Sequence, residues 1–254
     1  MRQRRVRIRR RLRRCSRELA RRHLLQLNMA APPGPPPPYA TASFTSMTGN
    51  AGHFCAIREA SGAVDCWGEN NQGQLDVPAA IRASAVAAGG GWWSDYYGHT
   101  CALQTTTSTP ICWGSNATGQ ASPSASQRTT AYSAITAGAA HTCALKLDGT
   151  PDCWGEASSI AGTASSPALT LLSSGANYWM TCGLRQSPRG TLHCWGQDTA
   201  IPFAVPSSFA DEQYSDVSVG STHACAIRVL DGGIDCWGQD QGTGKATGPM
   251  GSTL

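Results

Sequence analysis

The chain has 254 residues, enough for one sizeable domain or two small ones, with aromatic residues at 7% and charged residues at only 14%. Few charges, 28 glycines and frequent turn formers point away from amphipathic helices and toward short strands joined by loops. The formal net charge of +4 sums two unlike regions, and no apolar stretch approaches the roughly 20 residues that a membrane-spanning helix needs, so no membrane span is expected.

Residues 1–30 hold 12 arginines and one acid, Glu18, for a charge of +11, while the remainder carries −7. A mildly acidic body repels phosphate, so nucleic-acid affinity would have to reside in this tail. Three readings of the tail compete. It is an arm for nucleic acid or nuclear targeting, an arginine-rich and acid-poor transit peptide, or a misassigned start with translation beginning at Met29, Met47 or elsewhere. The last is preferred, because the body that follows carries paired cysteines suited to an oxidising compartment. Leu24–Leu27 running into Met29–Ala31 is interrupted by Gln26 and Asn28 and is too short for a secretory signal core. Residues 31–41, with prolines at 32, 33 and 35 to 38, read as an extended linker.

From residue 42 the chain is repetitive. Cys-Trp-Gly occurs at Cys66–Gly68, Cys112–Gly114, Cys153–Gly155, Cys194–Gly196 and Cys236–Gly238, in steps of 46, 41, 41 and 42 residues. A second cysteine precedes each one: Cys55, Cys101, Cys143, Cys182 and Cys225. Four of these end a His-x-Cys (His53, His99, His141, His223), and the fourth copy has Met180 instead. Further upstream comes an apolar residue with a glycine three later: Val86/Gly89, Ile135/Gly138, Leu172/Gly175 and Val217/Gly220. The first copy has Met47 and Asn50, and Asn tolerates the left-handed backbone that Gly would supply. Ten of the eleven cysteines thus belong to the repeat, and Cys15 stands outside it, unpaired.

Short β-forming segments such as Ala140–Leu147 and Gly233–Trp237 flank turn residues at Ser61-Gly62, Asp148-Gly149, Asp231-Gly232, and Pro188 with Gly190, which is the pattern of hairpins. A unit of about 40 residues with three or four strands cannot bury both faces alone; stacked radially, such units become propeller blades. Residues 42–254 are therefore expected to form an all-β propeller of five repeats, either a closed five-bladed ring or an incomplete one. The Trp of each Cys-Trp-Gly faces opposite its Cys, since side chains alternate along a strand, and fills the space between neighbouring blades.

The pattern in Ile135–Gly155, apolar-x-x-Gly, then His-Thr-Cys-Ala-Leu, Asp-Gly and Cys-Trp-Gly, resembles the regulator-of-chromosome-condensation repeat in its bacterial, cysteine-bearing form. The resemblance covers residues 42–254 and implies a propeller, usually of seven blades. It also implies several unlike roles, among them nuclear nucleotide exchange, light sensing and secreted inhibition of β-lactamase, as one fold hosting many functions would. Residues active in nucleotide exchange are not transferable, because no motif here marks them.

The paired cysteines lie 11, 11, 10, 12 and 11 residues apart. Cys143 and Cys153 are symmetric about Asp148, so a three-residue loop (Leu147–Gly149) sets them opposite each other on antiparallel strands, within reach of a disulfide. Five bonds are expected: Cys55–Cys66, Cys101–Cys112, Cys143–Cys153, Cys182–Cys194 and Cys225–Cys236. Each closes a short loop worth roughly 2–3 kcal/mol in the chain-entropy model. Two rival readings remain open. His-x-Cys with the facing cysteine offers three zinc-type ligands, but Met180 removes one in the fourth copy, so no metal is expected. Alternatively the thiols are reduced and pack as small hydrophobes, as cytosolic conditions would require. The histidines are read as structural, bonding the loop after the repeat glycine.

No phosphate loop, H-E-x-x-H or nucleophile elbow occurs, and no cofactor or catalytic residue is implied. Asp65, Asp152 and Asp235, which recur before Cys-Trp-Gly, read as solvated surface. Asn116-Ala117-Thr118 is a glycosylation sequon. The informative departures are insertions between the repeat glycine and the His-x-Cys position. Copy two has nine residues there, including Trp92, Trp93, Tyr96 and Tyr97, and copy four has four, including Tyr178 and Trp179. All three tryptophans outside Cys-Trp-Gly lie in these loops, which should share one rim. Trp and Tyr anchor interfaces, and loops on a rigid frame carry binding; plugging of the central channel is the competing use. The sequence therefore points first to a non-catalytic extracellular or cell-surface protein-binding or inhibitory scaffold. The alternatives are a nuclear or cytosolic regulator, of exchange or chromatin-binding type, anchored by the basic tail, or a structural segment of a larger surface protein.

Overall fold

The computed structural model of the chain describes residues 42–50, 52–91, 94–157, 160, 163–175, 179–196 and 205–238. The arginine-rich tail, most of the proline-rich linker and Cys15 lie outside these. Fifteen strands among the described residues build five three-stranded antiparallel sheets, each in chain order. Blade 1 is β1 (Phe44–Gly49), β2 (His53–Arg58) and β3 (Val64–Gly68); blade 2 is β4 (Ala83–Gly91), β5 (Ser94–Gln104) and β6 (Pro110–Gly114). Blade 3 is β7 (Tyr132–Ala137), β8 (His141–Lys146) and β9 (Pro151–Gly155). Blade 4 is β10 (Leu169–Ser174), β11 (Met180–Arg185) and β12 (Leu192–Gly196), and blade 5 is β13 (Tyr214–Val219), β14 (His223–Arg228) and β15 (Ile234–Gly238). Short 3-10 turns, such as Gln127–Thr129 and Ser207–Phe209, interrupt the linkers, and among the described residues no helix is long and apolar enough to cross a membrane.

The register places the cysteines of every blade directly opposite one another on its second and third strands. All five predicted disulfides are present, with Cα atoms 4.0–4.1 Å apart. A feature not anticipated from the sequence recurs near the start of each first strand. The register shifts by one residue there in all five blades, around Thr45, Ser84, Ser133, Thr170 and Ser215. Each of these side chains sends its hydroxyl toward a carbonyl of the second strand at 3.3–3.5 Å. A small hydroxyl residue suits a bulge because it partners a backbone group that the shifted ladder leaves over.

Neighbouring blades share four apolar clusters, and each is built the same way. Cys55, Ile57 and Val64 of blade 1 meet Ala83, Val86 and Trp113 of blade 2; Cys101 and Leu103 meet Tyr132 and Trp154; Cys143 and Leu145 meet Leu169 and Trp195. The fourth sets Cys182 and Leu184 against Tyr214, Val217 and Trp237. The tryptophan of one blade thus packs on the disulfide face of the blade before it, as the strand alternation implies. A backbone bond of 2.8–2.9 Å repeats at each junction, from the N–H of Ala83, Tyr132, Leu169 or Tyr214 to a carbonyl in the preceding hairpin turn.

No such cluster joins blade 5 to blade 1 among the described residues. Met47, at the position of the buried Val86 and Val217, is 67% exposed. Among the described residues the five blades do not close on one another, consistent with an incomplete ring.

Glycine matters at two repeat positions, for different reasons. The glycine of Cys-Trp-Gly has φ between 92° and 121° in all five copies, a conformation that L residues avoid. The glycine that follows the apolar residue needs space instead: a Cβ on Gly89, Gly138 or Gly220 would collide with the ring of His99, His141 or His223. This corrects the reading of Asn50, which does not have a left-handed backbone. Its Oδ1 accepts from the N–H groups of Gly52 and His53 at 2.8 and 2.9 Å, and its Nδ2 donates to the Gly89 carbonyl of the next blade.

Candidate binding rim

The connection from first to second strand is tight in most blades, closed by a backbone bond such as Gly138 N–H to the His141 carbonyl (2.9 Å) or Gly220 N–H to that of His223 (2.8 Å). Blade 2 departs from this. Its strands β4 and β5 run to 9 and 11 residues against 6 elsewhere, and Gly91 pairs with Ser94. The insertion is therefore a β-hairpin arm continuing the sheet, not the irregular loop expected. Its abundance of Trp and Tyr, residues that favour strands, was the available signal. The root of the arm is held from both sides: Asn50 of blade 1 donates to the Gly89 carbonyl, and Gly90 N–H donates to the Gly138 carbonyl of blade 3 at 3.0 Å.

Of the six aromatic candidates, Trp92, Trp93 and Tyr178 lie outside the described residues. Tyr96 and Tyr97 lie within β5. Trp179 immediately precedes β11 and is 42% exposed, an unusual exposure for so large an apolar side chain. The arm of blade 2 and Trp179 of blade 4 occupy the same connection, first strand to second, in their respective blades.

His53, His99 and His141 are structural, and each bonds across a blade junction to a threonine of the next blade. His53 Nε2 meets Thr100 Oγ1 at 2.9 Å, His99 meets Thr142 at 3.0 Å, and His141 meets Thr181 at 2.8 Å. Each threonine is the middle residue of the next blade's own motif. Thr100 and Thr142 in turn donate to the carbonyls of Gln74 and Gln120 at 3.0 Å, so their oxygens must accept and the histidine Nε2 must carry the proton. The same two carbonyls accept the indole N–H of Trp113 (2.9 Å) and Trp154 (3.0 Å). Burial, with a smaller contribution from nearby His99, pushes His53 down to about 4 and His141 down to about 3, so both stay neutral.

The linker motif Asn-x-x-Gly-Gln (Asn70 to Gln74, Asn116 to Gln120) places these carbonyls, and sequence reading missed it. Its two copies begin two residues after Cys-Trp-Gly, a fixed offset that could have revealed it. Asn116 Oδ1 caps the turn by accepting from Ala121 N–H at 3.0 Å, while its Nδ2, the atom a glycan would occupy, donates to Ser122 at 2.7 Å.

The repeated aspartates are more than solvated surface. Asp65 pairs with Arg58 at 2.6 Å, and Asp152 and Asp235 accept the phenol hydroxyls of Tyr132 and Tyr214 at 2.8 and 3.0 Å. Burial and then the adjacent carboxylate push both phenols well above their ordinary range. These groups lock the start of a first strand to a third strand within one blade. The ten repeat sulfurs are held in disulfides, which removes the thiolates that a zinc reading required.

Five three-stranded antiparallel blades, joined in four junctions where the Trp of one packs on the disulfide face of the blade before, make a β-propeller fold. No family model matches the chain, and no curated protein matches it in sequence. Solved structures do. The ectodomain of the receptor kinase CR4 from Physcomitrella patens is similar with a TM-score of 0.61 and 26% identity, over 80% of this chain and 52% of that one. The ectodomain of the Arabidopsis thaliana receptor kinase ACR4 gives 0.60 at 21% identity, over 80% and 66%. Prp20p from Saccharomyces cerevisiae, the yeast RCC1, gives 0.62 at 17% identity, over 84% and 62%. The chain spans between about half and two thirds of the length of these structures, and the likeness is one of fold.

Proposed function

We propose that the protein is a non-catalytic, extracellular or cell-surface scaffold that binds a protein partner, in a capturing or inhibitory role, through the rim carrying the blade 2 arm and Trp179. The observation that carries this reading is where the repeat is broken. Five blades keep their motif, yet the two long departures fall on the same connection and bring the tryptophans that the repeat does not need. Large aromatics on a rigid frame anchor partners at low entropic cost. The oxidising compartment is supported by five disulfides, which reducing cytosol would not maintain. Two of the similar folds, the CR4 and ACR4 proteins, are receptor-kinase ectodomains. The alternative of an intracellular regulator rests on residues 1–30 and on the likeness to Prp20p, whose structure was reported with its binding to Gsp1p and histones.

The test is site-specific photo-crosslinking of the full chain in its native extracellular fluid. A crosslinker at Trp93 or at Trp179 is expected to trap one and the same protein. A third placement, at the exposed Leu147 in the turn at the other end of the strands, should not trap it. Different adducts from the two rim positions, or equal yield from Leu147, would refute the shared rim. About one free thiol of eleven in the denatured, unreduced native protein is the accompanying expectation, and eleven would move the protein to the cytosol.

A further inference from the structure

Each blade sets the same two positions near the turn between its second and third strands: the third residue after its first cysteine and the residue just before its second. In blade 1 these are Arg58 and Asp65, in blade 3 Lys146 and Asp152, and in blade 5 Arg228 and Asp235, and all three are ion pairs. Blade 2 has Gln104 and Ile111, so neither position is charged. Blade 4 breaks the balance. It keeps the cation, Arg185, and puts His193 where the acid belongs. Arg185 has no carboxylate partner among the described residues, and its Nε lies out of solvent without a hydrogen bond.

The imidazole does not stand in for the missing acid. A guanidinium can only donate, so in the 3.3 Å contact between Arg185 Nη2 and His193 Nδ1 the ring nitrogen accepts. The ring proton is then on Nε2, which donates to Ser166 Oγ at 3.0 Å. Burial, and then the Arg185 charge, hold His193 below its ordinary value, which keeps the ring neutral. Trp195 packs beside the same imidazole with ring centres 5.6 Å apart. The half-buried pair thus carries one uncompensated positive charge against a fixed polar wall. Blade 1 shows what such a charge accepts: Arg58 grips Asp65 through Nε at 2.6 Å and Nη2 at 3.2 Å, two prongs on the two oxygens of one carboxylate. A single positive charge matches that monoanion, whereas a phosphate, at about −1.5 to −2, would be left partly unneutralised.

We propose that Arg185 and His193 form a binding site for a carboxylate supplied from outside the chain, as a free small carboxylic acid or as an acidic side chain of a protein. Arg185 is half-exposed while its Nε is shielded, so the ligand approaches the Nη end of the guanidinium. There it replaces the long bond to His193, and Ser166 and Trp195 hold the imidazole in place beside it. Arg185 ends β11, whose first residue, Met180, adjoins Trp179. The site therefore lies at the opposite end of that strand from the aromatic rim and is tested independently of it.

The test is a melting-temperature titration of the full, disulfide-bonded chain at pH 7 and constant ionic strength. Three probes are compared with sodium chloride: sodium acetate, sodium phosphate, and a capped peptide whose only charge is one glutamate. A bound carboxylate is expected to raise the melting temperature by about 3 °C once the ligand stands at ten times its dissociation constant. A rise with acetate assigns the site to small carboxylic acids, and a rise with the peptide alone assigns it to an acidic side chain. No rise with either, or a larger rise with phosphate than with both, overturns the proposal. Arg185→Gln, which removes the charge, should abolish the response. His193→Asp does not depend on how well that variant folds. It recreates the pair of blades 1 and 5, so it should melt higher than the native chain and no longer respond to carboxylate. A merely structural role for the pair predicts the higher melting point but no carboxylate response in the native chain to lose. A His193→Asp variant that responds as the native chain does would also overturn the proposal.

Discussion

The junctions between blades 1, 2 and 3 and the junction between blades 4 and 5 bury the same positions with opposite chemistry. In the first group a histidine, a threonine, a linker carbonyl and an indole form a closed set: His53, Thr100, Gln74 and Trp113, then His99, Thr142, Gln120 and Trp154. Between blades 4 and 5 the same sites hold Met180 and Ala224 in a purely apolar cluster with Leu184, Leu192 and Val217. Blade 3 to blade 4 is intermediate, keeping His141 with Thr181 while the indole nitrogen of Trp195 finds no partner among the described residues. The two solutions do not mix, and the reason is the penalty for an unmade bond. A buried Met against Thr leaves a hydroxyl short of a donor, and a buried His against Ala leaves an imidazole N–H with nothing to bond. The pair therefore changes together or not at all, and a residue in one blade is chosen by the blade before it.

The largest effect that would break this comparison is expected from Thr142→Ala. The substitution strands the His99 N–H at a site with no solvent and removes the bond to the Gln120 carbonyl, for a loss of about 2–4 kcal/mol in thermal unfolding. Adding His99→Met recreates the Met–Ala pair of the last junction and should restore at least about 1 kcal/mol of that loss, a coupling that a double-mutant cycle reads directly. Additive losses would mean that the two junction types are unrelated.

The same comparison makes a prediction about acid. His53 and His141 are neutral in the fold with values near 4 and 3, whereas the unfolded imidazole titrates near 6.5. The unfolded chain thus takes up protons first as pH falls. Stability from these groups is complete above pH 6.5 and declines as pH drops toward 4, by about 2 kcal/mol per histidine at pH 5. The His53→Met, Thr100→Ala variant should show a flatter fall between pH 7 and 5 than the native chain. An unchanged slope would mean that His53 is not the buried neutral group described.

How much of this could be read from the residues alone follows from how far each partner lies along the chain. The disulfides were legible because both cysteines fall inside one hairpin, 10 to 12 residues apart, and their spacing fixes the register. Blade architecture and the role of the Cys-Trp-Gly tryptophan followed from the same repeat. The histidine's partner was not legible in one copy, since it lies 40 to 47 residues away in the next one. It emerges only when the middle residue of His-x-Cys is compared with the first residue of the copy before. The bulge hydroxyls were missed for a plainer reason: Ser and Thr are common, and a position occupied by either draws no attention. At the candidate rim, the positions of the aromatics in the repeat were legible, but the continuation of β4 and β5 as a hairpin was not. A run of three glycines reads as a loop until cross-strand pairing of Gly91 with Ser94 shows otherwise.

The smallest expected effect is also the sharpest, because it isolates one hydrogen bond. Trp113 and Trp237 occupy equivalent positions, are both nearly fully buried, and both pack on the preceding blade's disulfide face. Trp113 Nε1 donates to the Gln74 carbonyl at 2.9 Å, whereas Trp237 Nε1 is buried with no hydrogen-bond partner among the described residues. Replacing each by Phe removes a similar volume, so the cavity terms largely cancel between the two variants. What remains is the bond itself, since the Gln74 carbonyl keeps the Thr100 hydroxyl as a second donor. Trp113→Phe should therefore cost about 1 kcal/mol more than Trp237→Phe. Relief of the unpartnered indole at Trp237 acts in the same direction. Equal losses would mean that the Thr100 hydroxyl alone satisfies the linker carbonyl and that the indole bond adds nothing to the packing of the first junctions.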